Sequence, residues 1–218
     1  VLAAQEAETP EVPTEESLSL WGLIQQGGWA MYPLGLCSLV MFFLIFYAWK
    51  ETQRKKFYTA EQTGAASEHL AGGAIEECTA ALATTNTLLG RALAPSIPKL
   101  GQNREKAEAL FVENLEAEEN SVSQWVTYLN VVASVAPMIG LLGTVSGMIS
   151  AFQTIGRGGM GRPELLAGDI GEALITTATG LTIGIPAMIA YFVLRNRLNS
   201  AMIATAQAGT EIIESAED

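Results

Sequence analysis

GEALITTATGLTIGIPAMIAYFVLR, residues 171–195, decides the fold. After Glu172 no charged residue occurs until Arg195, and 173–194 is 22 residues, about 33 Å of helix at 1.5 Å per residue. A bilayer core of about 30 Å takes roughly 20 mainly apolar residues, so this stretch is long enough to cross one. Two further stretches, 31–49 and 121–156, also lack Asp, Glu, Lys and Arg. The predicted fold is an all-α membrane protein with three transmembrane helices. Charged residues make up only 16% of the 218, against about 25% in a typical soluble domain.

The net charge of −11 is unevenly spread. Residues 1–32 carry Glu6, Glu8, Glu11, Glu15 and Glu16 and no basic residue, whereas Lys50, Arg54, Lys55 and Lys56 follow the first span and Arg195 and Arg197 the third. Basic flanks mark the cytoplasmic side, which puts the N-terminus outside and the C-terminus inside. Arg157 and Arg162, in the short loop after the second span, oppose this and are outnumbered. The resulting division is an acidic outer tail (1–16), an interfacial helix (17–28), transmembrane helix 1 (31–49) and a cytoplasmic helical region (50–124). Transmembrane helix 2 (125–155), an outer loop (156–168), transmembrane helix 3 (169–195) and a cytoplasmic C-terminal helix or tail (196–218) complete it.

The opening VLAAQEAETP fits the remnant of a processed export signal and equally a shortened chain. In EESLSLWGLIQQ, Leu18, Leu20, Trp21 and Ile24 form an apolar arc suited to a helix lying on the outer boundary, stopped by Gly27 and Gly28. Pro33 suits the first turn of the first span. Trp29, Tyr32, Tyr47 and Trp49 are expected as interfacial anchors, and MFFLIFYAW as a lipid-facing run. Between 50 and 120, helix-favouring Ala, Glu, Gln and Lys are punctuated by Gly72-Gly73, Gly90 and the Pro95, Pro98, Gly101 cluster, predicting two to four helices. Asn103 is placed to cap a helix that carries Phe111, Leu115, Val122 and Val126 on one side and meets no breaker before the second span.

The second span holds Pro137, Gly140, Gly143 and Gly147; the third holds Gly180, Gly184 and Pro186. Gly143 and Gly147, like Gly180 and Gly184, are four apart, the spacing that lets helix backbones meet closely. Proline inside a helix kinks it, which membranes tolerate where neighbours satisfy the freed carbonyl. These two spans are therefore expected to pack against protein.

Polar groups in such spans admit two readings. Glu172 can rest at headgroup level beside Asp169, with the threonines bonded to carbonyls one turn back. Alternatively Glu172, Thr176, Thr179 and Ile183 form one stripe, bordered by Thr177, that makes a hydrated track, while Thr144 and Ser146 supply hydroxyls in the otherwise apolar second span. No nucleophile–base set, metal spacing or phosphate loop occurs, so no catalytic residues, enzyme activity, metal or cofactor are expected. His69 reads as solvated; Cys37 and Cys78 suggest neither a disulfide framework nor a metal site. The basic flanks fit topology and anionic lipid, not nucleic acid.

APMIGLLGTVSGMISAF (136–152) followed by GDIGEALITTATGLTIGIPAMIAYFVLRNRL (168–198) resembles the paired signature of the MotA/TolQ/ExbB proton channel family. LWGLIQQGGWAMYPLGLCS is similar to ExbB-type members, and three spans match the ExbB/TolQ branch better than the four-span flagellar stators. The resemblance implies a homopentamer around a central pore in the bacterial inner membrane, with the N-terminus periplasmic. It implies as partners an ExbD- or TolR-like single-span protein inside the pore and a TonB- or TolA-like protein across the periplasm. The coupling ion would be H⁺, with Na⁺ open on the residues alone. Family polar positions fall on Thr144, Glu172 and Thr177, with Thr176 an extra hydroxyl; AWKETQRKK departs from relatives that place Glu-Arg directly after the first span. The competing reading is a non-conducting scaffold that oligomerises and recruits cytoplasmic partners.

Overall fold

Charge-free length becomes helix length in the computed structural model, which describes residue 22, residues 27–157 and residues 163–217. Eight α-helices follow in order among these: α1 (Met31–Glu51), α2 (Arg54–Phe57), α3 (Ala60–Ala71), α4 (Ile75–Thr84), α5 (Leu88–Leu93), α6 (Ile97–Leu100), α7 (Arg104–Gly156) and α8 (Pro163–Glu214). A 3-10 turn, Ser215–Glu217, ends the described chain. Three of the helices, α1, α7 and α8, are long and apolar enough to cross a membrane. The acidic tail at 1–16, residues 17–21 and 23–26 of the interfacial helix expected at 17–28, and 158–162 of the loop expected at 156–168 lie outside the described residues.

Asn103 does start α7: its side-chain carbonyl accepts the Lys106 N–H at 3.2 Å. From there α7 continues for 53 residues, through Pro137, and α8 for 52, through Pro186. Residues 196–214 continue the same helix as 169–195. Five helices, two of them single turns, occupy the stretch between α1 and α7 where two to four were expected. The single turns α2 and α6 are too short to leave a periodic signal.

The chain divides into two compact units. One consists of Cys37–Val135 with Ile183–Asp218. Its core is formed by Leu82, Leu88, Leu89, Leu93, Ile97 and Ile212, all fully buried; truncating any to Ala costs about 2–5 kcal/mol in a typical core. Phe111 and Gly209 meet face to face, since a Cβ on Gly209 would overlap the Phe111 ring. Buried Gln62 donates to Thr85 Oγ1 at 2.6 Å and accepts from Thr87 at 2.7 Å, which satisfies its amide and ties α3 to the α4–α5 junction. Gly90 is no breaker. It lies inside α5, where a Cβ would meet the Leu82 carbonyl at 2.6 Å. On α1, Tyr47 packs on Trp125 with ring centroids 4.5 Å apart, and the Arg197 guanidinium lies 4.1 Å from the Trp49 ring centre. These anchors thus have protein partners, the second a cation–π contact.

Cys78 is fully buried, with its thiol donating to the Ala66 carbonyl. Burial pushes the thiol up to about 11 from an ordinary 9.0. The thiolate is the reactive form, so alkylation at pH 8 should run about 100-fold slower than for a free cysteine, and still slower through lack of access. Mass spectrometry after iodoacetamide treatment checks this. Rapid native labelling at Cys78 would contradict the packing.

Candidate functional site

The other unit comprises the described parts of Val1–Leu36 together with Ala136–Thr182. Here the last part of α7 and the first part of α8 run together along a seam of small residues. A Cβ on Gly140 would stand 2.9 Å from the Thr176 carbonyl, and one on Gly180 2.7 Å from the Ala136 carbonyl. Gly147 faces Asp169 and Ala173 in the same way, its Cβ falling 2.8 Å from the Asp169 carbonyl and 2.9 Å from the Ala173 Cβ. The backbones themselves are in contact, so dispersion and Cα–H···O contacts hold the pair where water exclusion supplies no driving force. Gly184 is buried too, and belongs to the other unit with Pro186, which is exposed; Pro137 is half-buried.

The hydroxyls divide between this seam and the surface. Thr176 is buried in it, 1% exposed: its side chain fills the space left by Gly143, and its hydroxyl donates to the Ala173 carbonyl at 2.8 Å. Thr177 is half-buried and donates across to the Gly140 carbonyl at 3.1 Å. Thr144, also half-buried, donates to Leu141 at 2.7 Å, while Thr179 and Thr182 bond back to Ile175 and Ala178. Along the expected stripe, Glu172 and Thr179 are half-buried, Thr176 and Ile183 buried. Each bonded hydroxyl keeps lone pairs free to accept from a passing donor.

Glu172 has a neighbour the sequence does not announce. A Cβ on Gly28 would coincide with Glu172 Oε1, so the carboxylate rests against the bare backbone of the turn before α1. Trp29 Nε1 donates to Ser146 Oγ at 3.2 Å, linking the same turn to α7. Outward from the pair, Met138, Leu141, Val145 and Leu174 are exposed apolar groups. Among the described residues no cluster of His, Cys, Asp or Glu is arranged to hold a metal ion.

Three membrane-length helices, two of them joined along glycine and carrying a half-buried carboxylate near hydroxyls, define a multi-pass membrane protein. The chain belongs to the MotA/TolQ/ExbB proton channel family, whose pattern matches residues 74–207, more than half of its length. A biopolymer transport protein ExbB from Xanthomonas campestris pv. campestris is 42% identical over 87 residues, 40% of this chain and 34% of that protein. The Tol-Pal system protein TolQ of Haemophilus influenzae is 43% identical over 83 residues, covering 38% and 36% of the two chains. An ExbB of Neisseria gonorrhoeae reaches 47% over 66 residues, 30% of each. The matched stretches span about a third of each relative's length.

Proposed function

We propose that this chain is the proton-conducting stator subunit of a bacterial inner-membrane motor of the ExbB/TolQ type. Five copies surround a pore, with the N-terminus periplasmic, and an ExbD- or TolR-like helix bearing an aspartate occupies it. A TonB- or TolA-like protein carries the resulting motion outward. The observation that supports this best is Glu172, a half-buried carboxylate directly ahead of the charge-free residues 173–194 in a chain of a proton-channel family.

In this reading the Glu172 carboxylates of the ring draw cations from outside and pass a proton to the partner's aspartate. Thr144 and Thr177 exchange hydrogen bonds with that aspartate as its charge changes. Thr176, held in the seam against Gly143, keeps Thr177 at the right height. One charge crossing the field gains about 2.3 kcal/mol per 100 mV, so a few protons suffice for a conformational step. Na⁺ would serve the same electrostatics; H⁺ is chosen on the family.

The test is flux. Vesicles holding the subunit and its single-span partner, given an inside-negative diffusion potential, should acidify their lumen. Acidification should not depend on Na⁺. An assembled complex that passes no ions under these conditions is a scaffold, and the proposal then fails.

A further inference from the structure

The turn at 27–30 lies outside the family-matched residues, and its sequence by itself gives it only a helix stop at Gly27 and Gly28 and an interfacial anchor at Trp29. In the structure it touches both pathway helices. Gly28 has φ +61°, a conformation L side chains rarely adopt, and the side it leaves open is filled by the Glu172 carboxylate. The Gly28 carbonyl accepts the Met31 N–H at 3.3 Å at the entry to α1, and Trp29 reaches Ser146 on α7. A single turn therefore meets α8 at Glu172, meets α7 at Ser146, and leads into α1.

We infer that Gly28 and Trp29 are positioning residues for the Glu172 carboxylate. A glutamate has three rotatable side-chain bonds, and each alternative rotamer swings its carboxylate by several ångströms. An ion relay needs one position. Contact with the Gly28 backbone closes one side of the carboxylate to other groups and limits its rotamers. The Trp29–Ser146 bond keeps the turn from lifting away. This inference rests on Glu172 lying on the ion path.

The experiment uses the full chain with its partner in vesicles. Two readings are taken: ion flux, and the rate at which an apolar carbodiimide modifies residue 172, followed by mass spectrometry. Gly28→Ala should change that rate several-fold and lower flux by about tenfold or more, as small displacements of a reacting group do. An assembled Gly28→Ala complex with unchanged labelling and flux overturns the inference. In a Glu172→Asp background the shorter side chain withdraws from the added methyl, so Gly28→Ala should alter labelling little further. An equal change in both backgrounds means that the glycine serves only its own backbone, and the inference is lost. If Gly28→Ala does not assemble, Trp29→Phe decides: it keeps the backbone and removes the bond to Ser146. A shifted labelling rate at Glu172 supports the inference, and an unshifted one overturns it. Should Glu172→Gln conduct normally while Gly28→Ala still shifts labelling, the ion-path reading fails and the contact stands.

Discussion

Replacing Glu172 by Gln should abolish proton flux while leaving the complex assembled. Glutamine has nearly the same shape and can rest against Gly28 as the glutamate does, so nothing in the packing around the turn is disturbed. It loses the charge that attracts cations and the ability to take up and release a proton. A positioned proton-transfer group contributes about 10²–10⁴-fold in rate, and a fall of at least about 100-fold in vesicle acidification is expected. Energised work by the motor should fall equally. Size-exclusion profiles and partner co-purification should match the parent protein. Undiminished flux with Glu172→Gln would remove the central residue of the proposed pathway and favour the scaffold.

Much of this architecture is legible in the residues because membranes enforce simple rules. The three charge-free stretches and the helices α1, α7 and α8 are two views of one requirement, that backbone polar groups in lipid bond within their own helix. The four-residue spacing of Gly143 and Gly147 signals close approach, and the structure adds the partner, Thr176 for Gly143 and Ala173 for Gly147. Periodicity assigns a face; it does not say what covers it. For that reason Thr176, which shares a stripe with Glu172, reads as part of a wet track yet sits 1% exposed against glycine. Gly90 misleads, since a glycine required by a neighbouring carbonyl looks in sequence like a glycine that breaks a helix. Least legible are the contacts of the turn before α1. Trp29 and Ser146 are 117 positions apart, and nothing local in either segment points to the other.

Gly180→Leu should have the second large effect, on assembly. A Cβ at this position would lie 2.7 Å from the Ala136 carbonyl and 3.1 Å from the Gly140 Cα. Both obstacles are backbone, so no side chain can turn aside and the helices themselves must separate. A leucine requires far more room than one methyl. Overpacking of this kind costs about 1–3 kcal/mol in a core and more where rigid backbone is the neighbour. Separation also pulls Thr177 from the Gly140 carbonyl, leaving a polar pair unmade in a medium without water to replace it. The expected result is a large fall in folded complex recovered from membranes, together with a lower melting temperature for any that remains. Gly171→Ala is the control on the same helix, because a Cβ there meets nothing within 4 Å, and it should behave as the parent. Whatever fraction of Gly180→Leu does assemble should still conduct poorly. The seam that joins α7 to α8 also holds Thr177, about 1.4 turns beyond Glu172 on the same helix. Normal assembly and flux in Gly180→Leu would show that the two helices do not need this contact, and the close seam would lose its role in the pathway.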